Sequence, residues 1–273
     1  ALWPFDHGNI SVDKGVAIIS QSGMLGNSIS MNSRSISLAY IISSGNQAQL
    51  SVEDFLEVMI DDPAVNAVGL YIEGLRDLPR FTDVAVRALE AGLPIVAHKA
   101  GTSKIGAQLT VTHTGSLSGT DDLYEALFKR LGIIRVESAV EMLETLKLLT
   151  IAKAPKGKRV AGFTNSGGDS TMLADGGEPL GLSFPQPSSK IAAELTELLP
   201  PIATVSNPLD YTTPIWGFEE PMTKVNIAMF KDGYDAAVLV QDYPVPVGGD
   251  SYEPYLADLR AFTTATRHAG IPG

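Results

Sequence analysis

Two tandem α/β domains, each a parallel sheet covered by helices on both faces, are what this sequence predicts. Three observations carry that reading. Short β-rich apolar runs alternate with segments of helical periodicity, the strand-turn at residues 16–23 returns at 160–167, and a Lys-, Pro- and Gly-bearing break separates the two copies. Alternation of strands and helices is the signature of a doubly wound parallel sheet.

In the first half, Val16–Ser20, Leu38–Ile42, Ala67–Ile72 and Ile95–His98 are apolar runs bounded by Gly, Pro, Ser or Asn, and read as strands. Val52–Ile60 and Phe81–Ala91 place apolar residues at helical spacing between them. Ile133–Val136 adds a short strand and Ala139–Ile151 a further helix. Residues 152–158, Ala-Lys-Ala-Pro-Lys-Gly-Lys, hold no large apolar side chain and read as a linker. The predicted domains are therefore 1–151 and 159–273.

The second half restarts as a repeat of the first. Val16-Ala17-Ile18-Ile19-Ser20-Gln21-Ser22-Gly23 aligns without gaps to Val160-Ala161-Gly162-Phe163-Thr164-Asn165-Ser166-Gly167, with Ser/Thr and Gln/Asn exchanges inside the turn. Ala91-Gly92-Leu93-Pro94 returns as Ala269-Gly270-Ile271-Pro272. In the first half that proline opens a strand. In the second it is followed by Gly273 alone, which predicts a second domain incomplete at its C-terminus.

Composition narrows the functions. Lys and Arg total 20 against 31 Asp and Glu, a net charge of −11, which gives no general attraction for nucleic acid or anionic lipid. Hydrophobic residues make up 44% of the chain, enough for globular cores, and no apolar run approaches the ~18 residues of a membrane span. The first residues, Ala-Leu-Trp-Pro-Phe-Asp, lack a basic n-region and an apolar h-region, so a signal peptide is not expected. The absence of cysteine excludes disulfides, thiolate metal sites and cysteine nucleophiles, and is compatible with a cytoplasmic location, which is the expectation.

Both copies of the turn set a Ser-Gly pair between a strand and a helical segment, Ser22–Arg34 in one and Gly167–Asp175 in the other. Small residues leave the first N–H groups of the helix open, and with the helix dipole these form an anion site. Capping alone also accounts for such a turn. Two equivalent turns suggest two helix ends facing one anion.

Of the four histidines, His7 reads as a surface residue, His98 as one that packs or bonds locally at a strand end, and His268 as a cation suited to the last turn of a helix. His113 is different. Residues 100–120 contain four Gly and eight Ser/Thr, and allow only a short helix near Ala107–Val111. Such a long loop inside a compact domain is commonly functional, and its glycines let a histidine move. With no second His at ligand spacing, a metal site is not expected. An imidazole on such a loop suits the transient carriage of a phosphoryl group held between helix ends. The ring needs a carboxylate to fix its other nitrogen. Glu73 follows the strand Ala67–Ile72 at its carboxyl end, where ligands bind in such sheets, and serves either in that role or as a solvated strand-end residue.

Other motifs carry less. Ser20-Gln21-Ser22-Gly23 lacks the leading Gly of a hydrolase elbow. Ser43-Ser44-Gly45-Asn46 and Asn207-Pro208-Leu209-Asp210-Tyr211 read as turns, and Asp61-Asp62-Pro63 as a helix end. No G-x-x-x-x-G-K-[ST] loop is present.

These stretches together resemble the nucleoside-diphosphate-forming acyl-CoA synthetases, the superfamily of succinyl-CoA synthetase and ADP-forming acetyl-CoA synthetase. The resemblance runs through Ile18–Gly23, Ser43–Gln47, Leu70–Gly74, Lys99–Gly101, Thr112–Gly119, Thr164–Gly168 and Asn207–Asp210, and His113-Thr114-Gly115-Ser116-Leu117 is its most specific part. It implies two flavodoxin-like domains. It implies His113 as the phosphorylated residue and Glu73 as the acid that steadies it. Ser22, Gly23 and Met24, with Ser166, Gly167 and Gly168, become the phosphate-binding starts of two helices. The implied reaction is acyl-CoA, ADP and phosphate to carboxylate, CoA and ATP, with Mg²⁺. The implied partners are a CoA-binding Rossmann domain and an ATP-grasp domain or subunit, neither recognised in this stretch, and self-association is left open. Thr112 stands where many members have Ser. A non-catalytic anion-binding or scaffold module of such a complex is the alternative.

Overall fold

The computed structural model describes residues 10, 12–114, 121–242 and 252–273, with only the backbone for 110–114. The chain divides into two compact units, Ala1–Ile151 and Ala152–Gly273.

The first unit contains β1 (Gly15–Ser20), α1 (Gly23–Ser30), β2 (Leu38–Ser43), α2 (Val52–Ile60), β3 (Val65–Ile72), α3 (Leu78–Glu90), β4 (Ile95–Lys99), α4 (Lys104–Thr114), α5 (Asp121–Arg130), β5 (Ile134–Val136) and α6 (Ala139–Ile151). All strand pairs are parallel, in the order β2-β1-β3-β4-β5. That is the flavodoxin-like order, with its switch point between β1 and β3. Side chains alternate across the sheet as strand geometry requires. Ala17, Ile19, Val68, Leu70 and Ile72 face a core completed by Leu56 of α2, Phe81 and Val84 of α3 and Phe128 of α5. Val16, Ile18, Ala67 and Val96 face the opposite core with Ile29 of α1 and Met142 and Leu146 of α6. Helices thus cover both faces, and each fully buried Ile or Leu contributes roughly 1.5–3 kcal/mol.

The second unit contains β6 (Val160–Thr164), α7 (Gly167–Gly177), α8 (Ser189–Leu198), β7 (Leu209–Asp210), α9 (Glu219–Phe230), β8 (Ala236–Leu239) and α10 (Glu253–Ala269). Its parallel sheet runs β7-β6-β8, the same second-first-third order that begins the first unit. Phe163, Leu195, Leu209, Val225, Met229 and Phe262 form its core.

The sequence repeat extends to the backbone. Gly92 (φ 71°) and Gly270 (φ 67°) both end their helices in the left-handed region, where glycine avoids the Cβ clash. The next residue then bonds back to the helix in each unit, Leu93 N–H to the Ala88 carbonyl at 2.9 Å and Ile271 N–H to the Thr266 carbonyl at 3.2 Å. The following proline carbonyl accepts from the neighbouring strand in both units, Pro94 from Val68 N–H and Pro272 from Ala237 N–H, each at 2.9 Å.

One expectation is corrected. Residues 104–114, read as mostly loop, are helical, so His113 lies in the final turn of α4 and not in an irregular segment. Ser103 starts the helix, its Oγ accepting Gly106 N–H at 3.0 Å and its carbonyl accepting Ala107 N–H at 2.8 Å. That local cap, followed by good helix formers such as Ala107, Gln108 and Leu109, outweighs the Gly and Thr content of the segment. Residues 115–120 lie outside the described residues.

Candidate functional site

The carboxyl edge of the first sheet gathers three groups on adjacent strands. β1 leads to Ser22, β3 to Glu73, and β4 ends on Lys99. Ser22 is the N-cap of α1, its Oγ accepting Leu25 N–H at 3.3 Å. Its own N–H donates to Ser20 Oγ at 3.1 Å. The N–H groups of Gly23 and Met24 have no acceptor among the described residues. The first turn of α1 carries no acid. Two open donors at the positive end of a helix, beside the switch point, leave partial positive charge of the kind that favours an anion.

Glu73 is 9% exposed, which sets aside the reading of it as a solvated strand-end residue. Its backbone is held from several sides. Gln21 Oε1 accepts the N–H of Glu73, and also that of Gly74 at 2.9 Å. Gln21 Nε2 and Gln47 Nε2 both donate to the Gly74 carbonyl, at 2.6 and 3.0 Å. Leu75 N–H donates to Tyr124 Oη at 3.1 Å. Gln47 is itself anchored, with Val52 N–H donating to its Oε1 at 3.1 Å and Arg76 donating to its carbonyl at 2.6 Å.

Lys99 is 3% exposed. Its Nζ donates to the Ala100 carbonyl and sits 4.7 Å from the centre of the Tyr124 ring. Burial holds this ammonium below the usual lysine range; the Asp121 carboxylate opposes the shift, Arg135 adds to it, and Glu73 opposes it. The Glu73 charge also acts on Tyr71, whose phenol is raised first by burial and then by that carboxylate. The Glu73 carboxylate therefore belongs to the same electrostatic neighbourhood as Lys99 and Tyr71. Gln21, Gln47, Lys99 and Tyr124 do not stand out in the sequence as site residues. A sequence signal exists for Gln21, the Gln/Asn exchange at positions 21 and 165 inside the repeat, whereas the place of Lys99 beside Ile72 at the end of neighbouring strands is set by the sheet register.

The remaining candidates fall as follows. His98 Nδ1 lies 3.1 Å from the Val136 carbonyl, a local bond as expected. His268 occupies the last turn of α10, also as expected. His7 lies outside the described residues. Asp61 caps α2, while Asp62 accepts Ala64 N–H and Tyr40 Oη, so both have structural roles. No group of metal-ligating side chains occurs among the described residues. No helix among them is long and apolar enough to cross a membrane.

The second unit repeats the turn in its own sheet. Ser166 N–H donates to Thr164 Oγ1 at 3.1 Å, and Ser166 Oγ accepts Asp169 N–H at 3.4 Å. The N–H groups of Gly167 and Gly168 have no acceptor among the described residues. The charge differs from α1, however. Asp169 sits in the first turn of α7, and a Cβ on Gly167 would lie 3.5 Å from Asp210 Oδ2. Asp210 pairs in register with Thr164, the place that Ser43 takes beside Ser20 in the first unit. Asn207 acts as a buried clamp, its Oδ1 accepting Gly162 N–H at 2.9 Å and its Nδ2 donating to the Val160 and Pro185 carbonyls at 2.8 and 3.0 Å.

Known proteins share this architecture. The profile of the succinyl-CoA ligase like flavodoxin domain matches residues 13–149. The alpha subunit of acetate–CoA ligase (ADP-forming) II of Pyrococcus furiosus is 40% identical over 197 residues, 71% of this chain and 43% of that protein. The acetate–CoA ligase (ADP-forming) of Methanocaldococcus jannaschii is 36% identical over 198 residues, 72% of this chain and 28% of that protein. The solved dinucleotide forming acetyl-coenzyme A synthetase 1 of Ca. Korarchaeum cryptofilum, in complex with phosphate and ADP, superposes with a TM-score of 0.78 at 27% identity, covering 96% of this chain and 55% of that one. The chain thus spans less than two thirds of each of these relatives. A domain profile matched over residues 13–149, on a sheet of flavodoxin-like order, shows that the chain belongs to the family of the succinyl-CoA ligase like flavodoxin domain.

Proposed function

We propose that this chain is the phosphoryl-carrying core of an ADP-forming acyl-CoA synthetase. Phosphate displaces CoA from the acyl carbonyl, giving acyl phosphate. A ring nitrogen of His113 then attacks phosphorus, the carboxylate leaves, and the phosphoryl group passes on to the terminal phosphate of ADP. Splitting one coupling into two phosphoryl transfers lets separate sites share the chemistry. Glu73 accepts from the other ring nitrogen and keeps the attacking lone pair available. The open N–H groups of Gly23 and Met24, in the turn capped by Ser22, stabilise the phosphoryl charge. Those of Gly167 and Gly168, behind Ser166, provide the second anion site.

The observation that carries this reading is the buried, backbone-clamped Glu73 beside an acid-free helix start at the sheet's switch point. The family relationship supports it. CoA, ADP or ATP with Mg²⁺, and the carboxylic acid or acyl-CoA are the substrates on this reading. Modules of the CoA-binding Rossmann and ATP-grasp types, on the same polypeptide or on a partner subunit, hold most of them.

The test is phosphoryl labelling. Given ATP labelled in its terminal phosphate, Mg²⁺ and an ATP-grasp partner, the protein takes up base-stable, acid-labile label, and His113→Asn abolishes it. Label retained in that variant removes the role of His113. A wild-type protein that accepts no label from any phosphoryl donor is instead a scaffold or anion-binding module of such a complex.

A further inference from the structure

The Gln21 side chain is 3% exposed, yet it carries no charge and joins no ion pair. Every hydrogen bond its side chain makes among the described residues is directed at one dipeptide. Oε1 accepts from two successive N–H groups, those of Glu73 and Gly74, and Nε2 donates to the carbonyl of Gly74. Gln21 stands between the end of β1 and Ser22, whose turn presents the open amides. One residue therefore couples the anion-binding turn to the carboxylate-bearing turn across the switch point. A hydrophobic side chain of equal length would fill the same space without defining the Glu73 backbone. The hydroxyl bonds that fix the Ser22 turn do not involve Gln21, so the α1 cap stands without it.

We infer that Gln21 is the positioning residue for Glu73, holding that carboxylate against the histidine while α1 receives the phosphoryl group; this rests on the phosphohistidine reading above. Gln47 supports the same carbonyl from another element. The arrangement makes a specific demand on chemistry at position 21. The group must accept two N–H bonds with one oxygen and donate one bond with its other terminal atom. A protonated carboxyl group meets that demand; an ionised one does not, since it faces the Gly74 carbonyl with a second acceptor and places a negative charge beside Glu73.

Gln21→Glu and Gln21→Met, in the full synthetase with its ATP-grasp module, test the inference. The initial rate of label uptake on His113 is measured from pH 6 to pH 8.5, per folded protein by circular dichroism. Gln21→Met is expected to label about tenfold to a hundredfold more slowly at every pH. Gln21→Glu is expected to be equally slow at high pH and to recover towards the wild-type rate as pH falls. A Gln21→Glu to wild-type ratio that does not move with pH overturns the inference, because a packing defect slows labelling alike at all pH values. Should Gln21→Met fail to fold, that ratio alone decides. Failure of the wild-type protein to label at all overturns the underlying reading and is a separate outcome.

Discussion

Ser22 and Ser166, 144 positions apart by their numbers, make the same two hydrogen bonds. Each sends its backbone N–H to the hydroxyl two residues earlier, and each accepts with its own Oγ the N–H three residues later. The pattern explains why the repeat keeps a hydroxyl at 20 and 164 as well as the serines themselves. Ser22→Ala and Ser166→Ala each strip a cap, and each is expected to lower stability by about 1 kcal/mol. Urea unfolding curves check this; a variant with an unchanged midpoint would show that its cap contributes nothing.

The two helix starts are alike in geometry and unlike in charge. No acid lies in the first turn of α1, whereas Asp169 lies in that of α7 and Asp210 stands beside Gly167. Like charges disfavour an anion there. The Gly23 and Met24 amides are therefore expected to respond to inorganic phosphate at lower concentration than those of Gly167 and Gly168, as read from amide NMR shifts. Asp210→Asn should strengthen the response of Gly167 and Gly168 by a factor of roughly 2–30, the span of a 0.3–2 kcal/mol local charge effect. Equal responses in the wild type would contradict the charge argument.

Asp258 makes the stability of the second unit depend on pH. It is 1% exposed, and its Oδ2 accepts Tyr211 Oη and Gln241 Nε2. Burial pushes its carboxyl up to about 6 from an ordinary 3.8, with the Tyr211 bond pulling the other way. The folded form thus keeps a proton that the unfolded form has lost. The stabilisation is complete below pH ~4 and disappears as pH rises through about 6. It amounts to roughly 3 kcal/mol, since each tenfold difference in proton affinity between the folded and unfolded forms is worth about 1.4 kcal/mol. Asp258→Asn has no such proton to lose, so it should gain on the wild type across that window. A difference between the two that stays constant from pH 4 to pH 7 would rule the linkage out.

Much of the fold is legible in the sequence because its determinants are local. Strand Leu38–Ser43 and helix Val52–Ile60 follow from apolar runs, helical spacing and nearby turn residues. The linker read at 152–158 begins at the junction of the two compact units. α4 departs from expectation because the single cap at Ser103 counts for more than the Gly and Thr content that follows it. At the site, Glu73 and the Ser-Gly turns stand out through their positions after strands. Their supports do not: Gln21 is 52 residues from Glu73, and Tyr124 is 49 from Leu75.

The sequence alone determined the fold class, the internal repeat and the strand ends that carry the candidate site residues, because periodicity and capping depend on neighbours a few residues apart. Only the tertiary structure decided that Glu73 is buried, that two glutamines and a tyrosine hold its turn, and that Lys99 shares its electrostatic surroundings. Those relations depend on the order β2-β1-β3-β4-β5, which sets distant segments side by side, and desolvation there is a property of the packed edge and not of any residue by itself.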